Sequence, residues 1–136
     1  MITKPIPYGR QHITDEDIQC VIDALKSDYL TQGPKIKEFE EAFASYVGCK
    51  YAIAVNNATA GLHLAATALD VNLGDKVIVT PLTFAASANC IRYRGGEVVF
   101  CDVEEDTYLM DIKKLSRLLS QSPKGTYKGI VLVDFA

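Results

Sequence analysis

A short polar turn joins an apolar run to a segment of small residues with helical spacing. The turn reads Asn56-Asn57-Ala58-Thr59, and Ala60 follows it. The N–H groups of a helix's first turn have no partner within the helix, and the positive end of the helix dipole lies there, so such a turn suits an anion. The sequence therefore indicates a phosphate site around Ala58, Thr59 and Ala60, to which the threonine hydroxyl adds a donor. The alternative is that Asn57 or Thr59 only caps the helix, and since no glycine-rich phosphate motif is present, the spacing does not decide between the two.

A second candidate segment follows the next apolar run along the chain. Residues 80–84 read Thr-Pro-Leu-Thr-Phe. Ligands of open α/β sheets bind at the carboxyl ends of the strands, so this segment and the polar turn are expected at the same edge. An aromatic ring such as that of Phe84 can lie flat against a planar cofactor ring. The alternative is that Phe84 is a core residue of the helix that follows.

Both segments belong to a chain in which helical and strand-like patterns alternate. Continuous apolar strands separated by helices indicate an α/β fold, with a mostly parallel sheet and helices on both faces. A helix capped by Thr14 and a helix ended by Gly48 are the clearest local signals. The expected helices cover residues 15–25, 35–47, 58–68, 84–92 and 111–119, and the expected strands cover residues 51–55, 76–80, 97–101 and 129–133.

Length and composition limit the classes of protein. The 136 residues are enough for one domain, and 49% hydrophobic with 23% charged residues is the balance of a globular protein. The net charge of −3 and the lack of a basic block argue against a nucleic-acid partner. No apolar run approaches the roughly 20 residues that span a bilayer, and the N-terminus has no signal-peptide pattern, so no membrane association and a cytoplasmic location are expected.

The cysteines and histidines give no metal-site pattern. Cys20, Cys49, Cys90 and Cys101 are scattered without a C-x-x-C spacing, and the two histidines are far apart without an H-x-x-x-H spacing. The sequence therefore predicts no metal site. The four cysteines are expected to be buried, reduced and structurally passive.

Taken together, three runs resemble the sugar aminotransferases of the DegT/DnrJ/StrS family, which are fold-type I enzymes dependent on pyridoxal 5'-phosphate. The runs are N-x-A-T-A-G-L-H-L-A, G-D-x-V-I-V-T-P-L-T-F-A-A-S-A-N and E-V-V-F-C-D-V, and the resemblance extends from about Pro5 to Ala136. It implies an α/β fold, the fold-type I PLP-transferase large domain, incomplete at its C-terminal end. Residues 1–136 would form one partial domain, with an N-terminal helical segment (1–50) and the first strands and helices of the cofactor-binding domain (51–136).

The resemblance also implies roles for individual residues. Backbone amides of Ala58, Thr59 and Ala60 and the Thr59 hydroxyl would bind the cofactor phosphate, and Phe84 would stack on the pyridine ring. The Ala58–Thr59 pair and the final V-D-F-A resemble the branch of the family that acts in pseudaminic acid biosynthesis. In that branch the nucleotide-sugar pocket would be lined by Tyr8, Asp28, Tyr29, Leu30, Thr31 and Ala58. For Tyr8 and Leu30 the alternative role is plain packing.

The activity implied is transfer of the amino group of glutamate to the C4 ketone of a UDP-linked 4-keto-6-deoxy-N-acetylhexosamine. A homodimer is expected for the intact protein. The family's Schiff-base lysine, the acid that pairs with the pyridine nitrogen and a phosphate-site serine belong to later segments, so residues 1–136 are expected to be the N-terminal piece of a longer protein and inactive alone. Two alternatives stay open: a sugar 3-dehydratase of the same family, in which histidine replaces the lysine, and a non-catalytic α/β module.

Overall fold

The computed structural model describes Pro7 and residues 9–134 of the chain. The chain forms two compact units, and the boundary between them falls between Ala54 and Val55. The helices and strands of the described residues, in chain order, are α1 (Asp15–Lys26), α2 (Pro34–Val47), α3 (Ala58–Ala68), β1 (Lys76–Val79), α4 (Ala86–Arg92), β2 (Glu97–Phe100), α5 (Ile112–Ser120) and β3 (Tyr127–Val131).

The two helices of the first unit begin and end where the local sequence predicts. Thr14 caps α1 through a capping box: its hydroxyl accepts from the Asp17 N–H at 3.3 Å, and the Asp17 carboxylate accepts from the Thr14 N–H at 2.8 Å. Helix α2 begins with Pro34, whose missing N–H costs nothing at the first helical position. It ends at Gly48, which has a φ of 70°, a left-handed conformation that glycine adopts without strain.

The apolar stripes of these two helices are largely exposed. Within the described part of the first unit, Ala44 is the one buried residue. Phe39 and Phe43 contact each other, with ring centroids 5.9 Å apart, yet both rings are exposed. The helical spacing of apolar residues therefore predicts the two helices correctly. It does not produce a buried core among the described residues of this unit.

The expected buried strand at residues 51–55 is wrong. These residues have no regular hydrogen-bonded structure, and Tyr51 and Ile53 are 74% and 76% exposed. A strand needs a neighbour for its backbone groups, and no described strand pairs with this run. The Ala54 N–H donates instead to the Glu40 carboxylate at 2.8 Å, so a side chain takes the place of a neighbouring strand as the partner of this amide.

The second unit contains a parallel sheet with helices on both faces, as predicted. The strand order is β2-β1-β3, and Ile78 of the central strand lies opposite Val99 and Ile130. Successive side chains of a strand point to opposite faces, so neighbouring residues of β1 enter different clusters. Val77 packs with residues of α3 and α4 (Ala66, Cys90 and Ile91) and with Val71, whereas Ile78 packs with Cys101, Met110 and residues of α5 (Leu115 and Leu118).

The strand order places a topological switch at β1. The connection from β1 to β2 contains α4, on one face, and the connection from β2 to β3 contains α5, on the other. The chain thus leaves β1 toward one neighbour and returns on its other side. In doubly wound sheets a crevice opens outside the carboxyl ends of the strands at such a reversal, and ligands bind there. Residues 80–84 follow β1 directly at this point.

Most element boundaries lie within one residue of the sequence prediction, and two of the larger differences have identifiable reasons. Strand β3 begins at Tyr127, two residues before the predicted start, because Tyr127 pairs with Lys76 across a register shift. Helix α4 begins at Ala86 and not at Phe84, because the Phe84 carbonyl takes part in a turn with the Ser87 N–H at 3.0 Å.

The expectation of four buried cysteines is half wrong. Cys90 and Cys101 are buried, and burial raises the pKa of both thiols above the ordinary value. Cys20 and Cys49 are free and exposed. Cys20 lies on α1, none of whose residues is buried, and Cys49 lies just after the end of α2. The described residues of the first unit therefore do not bury either thiol.

Two possible features were searched for in the part of the chain that the structure describes. None of its helices is long and apolar enough to cross a membrane. No group of three or more histidine, cysteine, aspartate or glutamate side chains in these residues could hold a metal ion.

Replacing Gly61 of α3 by alanine is expected to stabilise the protein. A Cβ at this position would meet only the Val55 Cγ2 atom, at an ordinary 3.7 Å. Alanine restricts the unfolded chain more than glycine does, so the free energy of unfolding should rise by about 0.5–1 kcal/mol. Urea denaturation of the wild-type and Gly61→Ala proteins measures the change. A lower midpoint for the variant would contradict the helix placement.

Candidate functional site

Asn57 caps the first turn of α3. Its backbone is extended, with φ −165° and ψ 164°, and its side-chain oxygen accepts from the Ala60 N–H at 2.8 Å. Its carbonyl accepts from the Gly61 N–H at 3.2 Å, the first bond of the helix. The capping interaction that the sequence left open is therefore present, and it is made by Asn57.

The cap leaves two amides of this turn available. No described residue accepts a hydrogen bond from the N–H of Ala58 or Thr59. Ala58 is exposed, and Thr59 is half-buried with its hydroxyl in the same turn. Capping and anion binding are thus compatible here: Asn57 takes the third amide, and the first two, with the helix dipole behind them, suit an anion.

The loop after β1 presents an aromatic ring to solvent. Phe84 is 78% exposed, so it is not the core residue that the sequence allowed as an alternative. The loop is attached to α4 on both sides of Phe84. The Ser87 N–H donates to the Phe84 carbonyl at 3.0 Å, and the hydroxyls of Ser87 and Thr83 form a hydrogen bond of 2.7 Å.

Thr80 is a further polar residue of this edge that the sequence did not single out. It follows the last residue of β1 and is only 1% exposed, and its hydroxyl has no partner among the described residues. An unpaired buried hydroxyl costs about 1–3 kcal/mol, so a polar group from outside these residues is expected to meet it. A hydroxyl directly after an apolar strand was the available signal, and a residue type alone does not reveal burial.

The loop between α1 and α2 carries four of the predicted substrate residues. Tyr29 and Leu30 line a cavity of about 220 Å³ with apolar residues of both helices, including Val21 and Leu25, while Asp28 and Thr31 lie in the same exposed loop. Gly33 permits this loop, because a Cβ there would stand 2.8 Å from the Tyr29 Cβ. Tyr8, the fifth, lies outside the described residues, and Ala58 belongs to the second unit.

The packing alternative for Leu30 is not realised in the described residues, where its side chain is exposed and borders the cavity. The structure therefore brings Tyr29 and Leu30 together in the first unit. It brings Ala58, Thr59 and Ala60 together in the second. Phe84 follows β1 in the same unit as α3.

A charged pair lies beyond the neighbouring strand. Asp102, shortly after β2, accepts a hydrogen bond from the Lys114 ammonium at 2.8 Å. This hydrogen bond lowers the pKa of Asp102 and raises that of Lys114. Both groups are exposed, so water screens the interaction. Because the Asp102 carboxylate already pairs with Lys114, the positive end of α3 is better able than Lys114 to attract an anion.

A doubly wound parallel sheet with free helix amides and an exposed aromatic at its carboxyl edge fits the large domain of fold-type I PLP-dependent transferases. Comparison with solved structures supports this assignment of the fold. A sugar aminotransferase from Streptococcus pneumoniae, Spr1654, superposes in its PMP form with a TM-score of 0.83 and 34% identity, covering 96% of this chain and 32% of that one. PseC of Helicobacter pylori, an aminotransferase involved in pseudaminic acid biosynthesis, superposes with a TM-score of 0.82 and 30% identity, covering 97% and 35%.

The chain belongs to the DegT/DnrJ/EryC1/StrS aminotransferase family, whose model matches residues 11–136. The UDP-4-amino-4,6-dideoxy-N-acetyl-beta-L-altrosamine transaminase of Campylobacter jejuni is 43% identical over 132 residues, which are 96% of this chain and 34% of the transaminase. The chain thus spans about a third of the length of the relatives it matches. The family depends on pyridoxal 5'-phosphate, and the pneumococcal enzyme is known in both PLP and PMP forms.

Proposed function

We propose that the protein transfers an amino group from glutamate to the C4 ketone of a UDP-linked 4-keto-6-deoxy-N-acetylhexosamine, in pseudaminic acid or related amino-sugar biosynthesis. The observation that carries the proposal is that one unit contains both two free amides at the start of α3 and an exposed Phe84 directly after the β1 strand. The 43% identity to a UDP-amino-sugar transaminase and the likeness to PseC support the choice of substrate class.

In this proposal the second unit holds the cofactor by its phosphate and its ring. The N–H groups of Ala58 and Thr59 and the Thr59 hydroxyl bind the phosphate, which the positive end of α3 also attracts. Ala60 completes the turn, and its N–H keeps Asn57 in the capping position. Phe84 lies against one face of the pyridine ring, where an aromatic surface contributes contact area and fixes the plane.

Bound pyridoxal phosphate supplies an electron sink that this chain's own side chains cannot provide. The residues described here bind and orient it, and the proposal assigns them no proton transfer. None of the ten lysines in residues 1–136 is assigned as the Schiff-base lysine. We therefore expect residues 1–136 to lack transaminase activity when expressed alone.

We propose that Tyr8, the loop residues 28–31 and Ala58 contact the nucleotide-sugar substrate. The exposed ring of Tyr29 and the side chain of Leu30, at the rim of the cavity on α1 and α2, offer flat apolar surface to a base or a sugar ring. Asp28 and Thr31 in the same loop supply polar groups for hydroxyls of the sugar. We also propose that the intact protein is a cytoplasmic homodimer.

The test uses the purified full-length protein. We expect a visible absorbance band of bound pyridoxal phosphate that glutamate abolishes and that the UDP-4-keto sugar restores, with mass spectrometry showing the 4-amino sugar. Size-exclusion chromatography with light scattering should give a dimer. Loss of the band with glutamate, followed by a 3-deoxy sugar and free ammonia in place of the 4-amino sugar, would point to a dehydratase. Failure to bind the cofactor at all would contradict the proposal.

A further inference from the structure

Ser87 contacts the chain on both sides of the exposed aromatic. Its N–H donates to the Phe84 carbonyl at 3.0 Å, and its hydroxyl is 2.7 Å from the hydroxyl of Thr83, the residue before Phe84. Ser87 is only 7% exposed. We propose that Ser87 is a positioning residue that fixes the orientation of Phe84 for the cofactor ring, a role that rests on the proposed contact between Phe84 and the cofactor.

Phe84 needs such a device because packing does not hold it. Its side chain is 78% exposed, and residues 81–83 before it form bends without regular hydrogen bonding. A ring that rotates with a free loop loses conformational entropy each time a ligand orders it, and this loss lowers affinity. One bond at the Phe84 carbonyl and one at the preceding residue hold the backbone that carries the ring before the ligand arrives.

Ser87 is rigid enough to serve as the anchor. It lies in the first turn of α4, and its carbonyl accepts from the Cys90 thiol at 3.2 Å. Cys90 and Ile91 of the same helix are fully buried against Val77 of β1. The clamp therefore links the loop to the core of the sheet. Thr83, half-buried in the loop before α4, is the residue that this anchor holds.

The test measures the dissociation constant of pyridoxal 5'-phosphate for the full-length apo-protein. Loss of the hydroxyl bond in Ser87→Ala or Thr83→Val is expected to weaken binding about five- to tenfold, the factor that corresponds to one neutral hydrogen bond. Because both variants break the same bond, the double variant should be no weaker than either single one. Ser87→Thr, which keeps a hydroxyl, should restore most of the affinity.

A double-mutant cycle between Ser87 and Phe84 shows whether Ser87 acts through Phe84. In a Phe84→Ala background, Ser87→Ala should cause no further loss of affinity, whereas an effect through the rest of the fold would persist. The visible circular dichroism of the bound cofactor should change in Ser87→Ala, because the backbone that directs the Phe84 ring toward the cofactor is held less firmly. Thermal unfolding of each apo-protein separates this effect from loss of structure, and Thr83→Val tests the same bond without touching the helix.

Ser122→Ala is the matched control. The Ser122 and Tyr127 hydroxyls form a comparable half-buried bond of 3.2 Å, just before β3 at the amino edge of the sheet. This variant should leave the affinity for the cofactor unchanged. Phe84→Ala with normal affinity would overturn both the placement of Phe84 and the role of Ser87. Weakened binding in Phe84→Ala with normal affinity in Ser87→Ala and Thr83→Val would overturn the role of Ser87 alone.

Discussion

Replacing Ala58 by proline is expected to weaken pyridoxal phosphate binding about ten- to a hundredfold, because a hydrogen bond to a charged group contributes about 1.5–3 kcal/mol. Among the hydrogen-bonding groups of this turn, proline removes only the N–H of residue 58, one of the two free amides of α3. It suits the first helical position, and Asn57, with ψ 164°, already has the extended backbone that a residue before proline favours. Titration of the apo-protein with the cofactor measures the loss.

The control for this variant is proline at the first position of α1. Asp15→Pro also follows an extended cap, since Thr14 has ψ 169°, and α2 carries Pro34 at the same position naturally. Asp15→Pro should not change the affinity. Normal affinity in a folded Ala58→Pro protein would mean that the phosphate lies elsewhere.

Replacing Gly96 by alanine is expected to lower the free energy of unfolding by about 3 kcal/mol, the upper end of the usual cost of overpacking. A Cβ there would stand 2.7 Å from Val71 Cγ1, 2.8 Å from Ile91 Cγ2 and 3.2 Å from the Asp75 carbonyl. Val71 and Ile91 are fully buried, so neither can move aside without opening the cluster on this face of the sheet. Urea denaturation of the purified variant gives the change.

Gly61→Ala makes the same chemical change in the same unit and is expected to raise the free energy of unfolding. The two substitutions should therefore shift the denaturation midpoint in opposite directions. A Gly96→Ala protein as stable as the wild type would show that the space between β2 and α4 is larger than the structure gives.

The sequence predicts best those features that depend on neighbouring residues. The capping box at Thr14, the left-handed Gly48 and the cap at Asn57 each need only a few consecutive side chains and their backbone. The strand expected at residues 51–55 failed because a strand also needs a partner, and apolar composition cannot supply one. The exposure of Cys20 and Cys49 was missed for a similar reason, since burial depends on what packs against a helix.

In the candidate site, too, the sequence predicts local features better than it predicts contacts between side chains. The polar turn at residues 56–59 and Phe84 can be found in the sequence because the start of α3 and the end of β1 can be located from patterns. The engagement of the Ala60 amide by Asn57 reduces the expected three amides to two, which is a matter of side-chain geometry. Ser87 and Thr83 are four residues apart, a spacing that brings side chains together where a helix begins, but no pattern marks such a hydroxyl pair as important.

The doubly wound topology has a consequence for how such a domain can change. Residues 80–84 lie at the carboxyl end of the sheet, whereas the loop of residues 121–126 lies at the opposite end, before β3. The two ends can therefore accept insertions and substitutions independently. Changes in the loops at the carboxyl end can alter the substrate preference, while the loops at the opposite end continue to support folding. In the laboratory, a fluorescent label or an affinity tag near Lys124 would sit at the end of the sheet opposite residues 80–84.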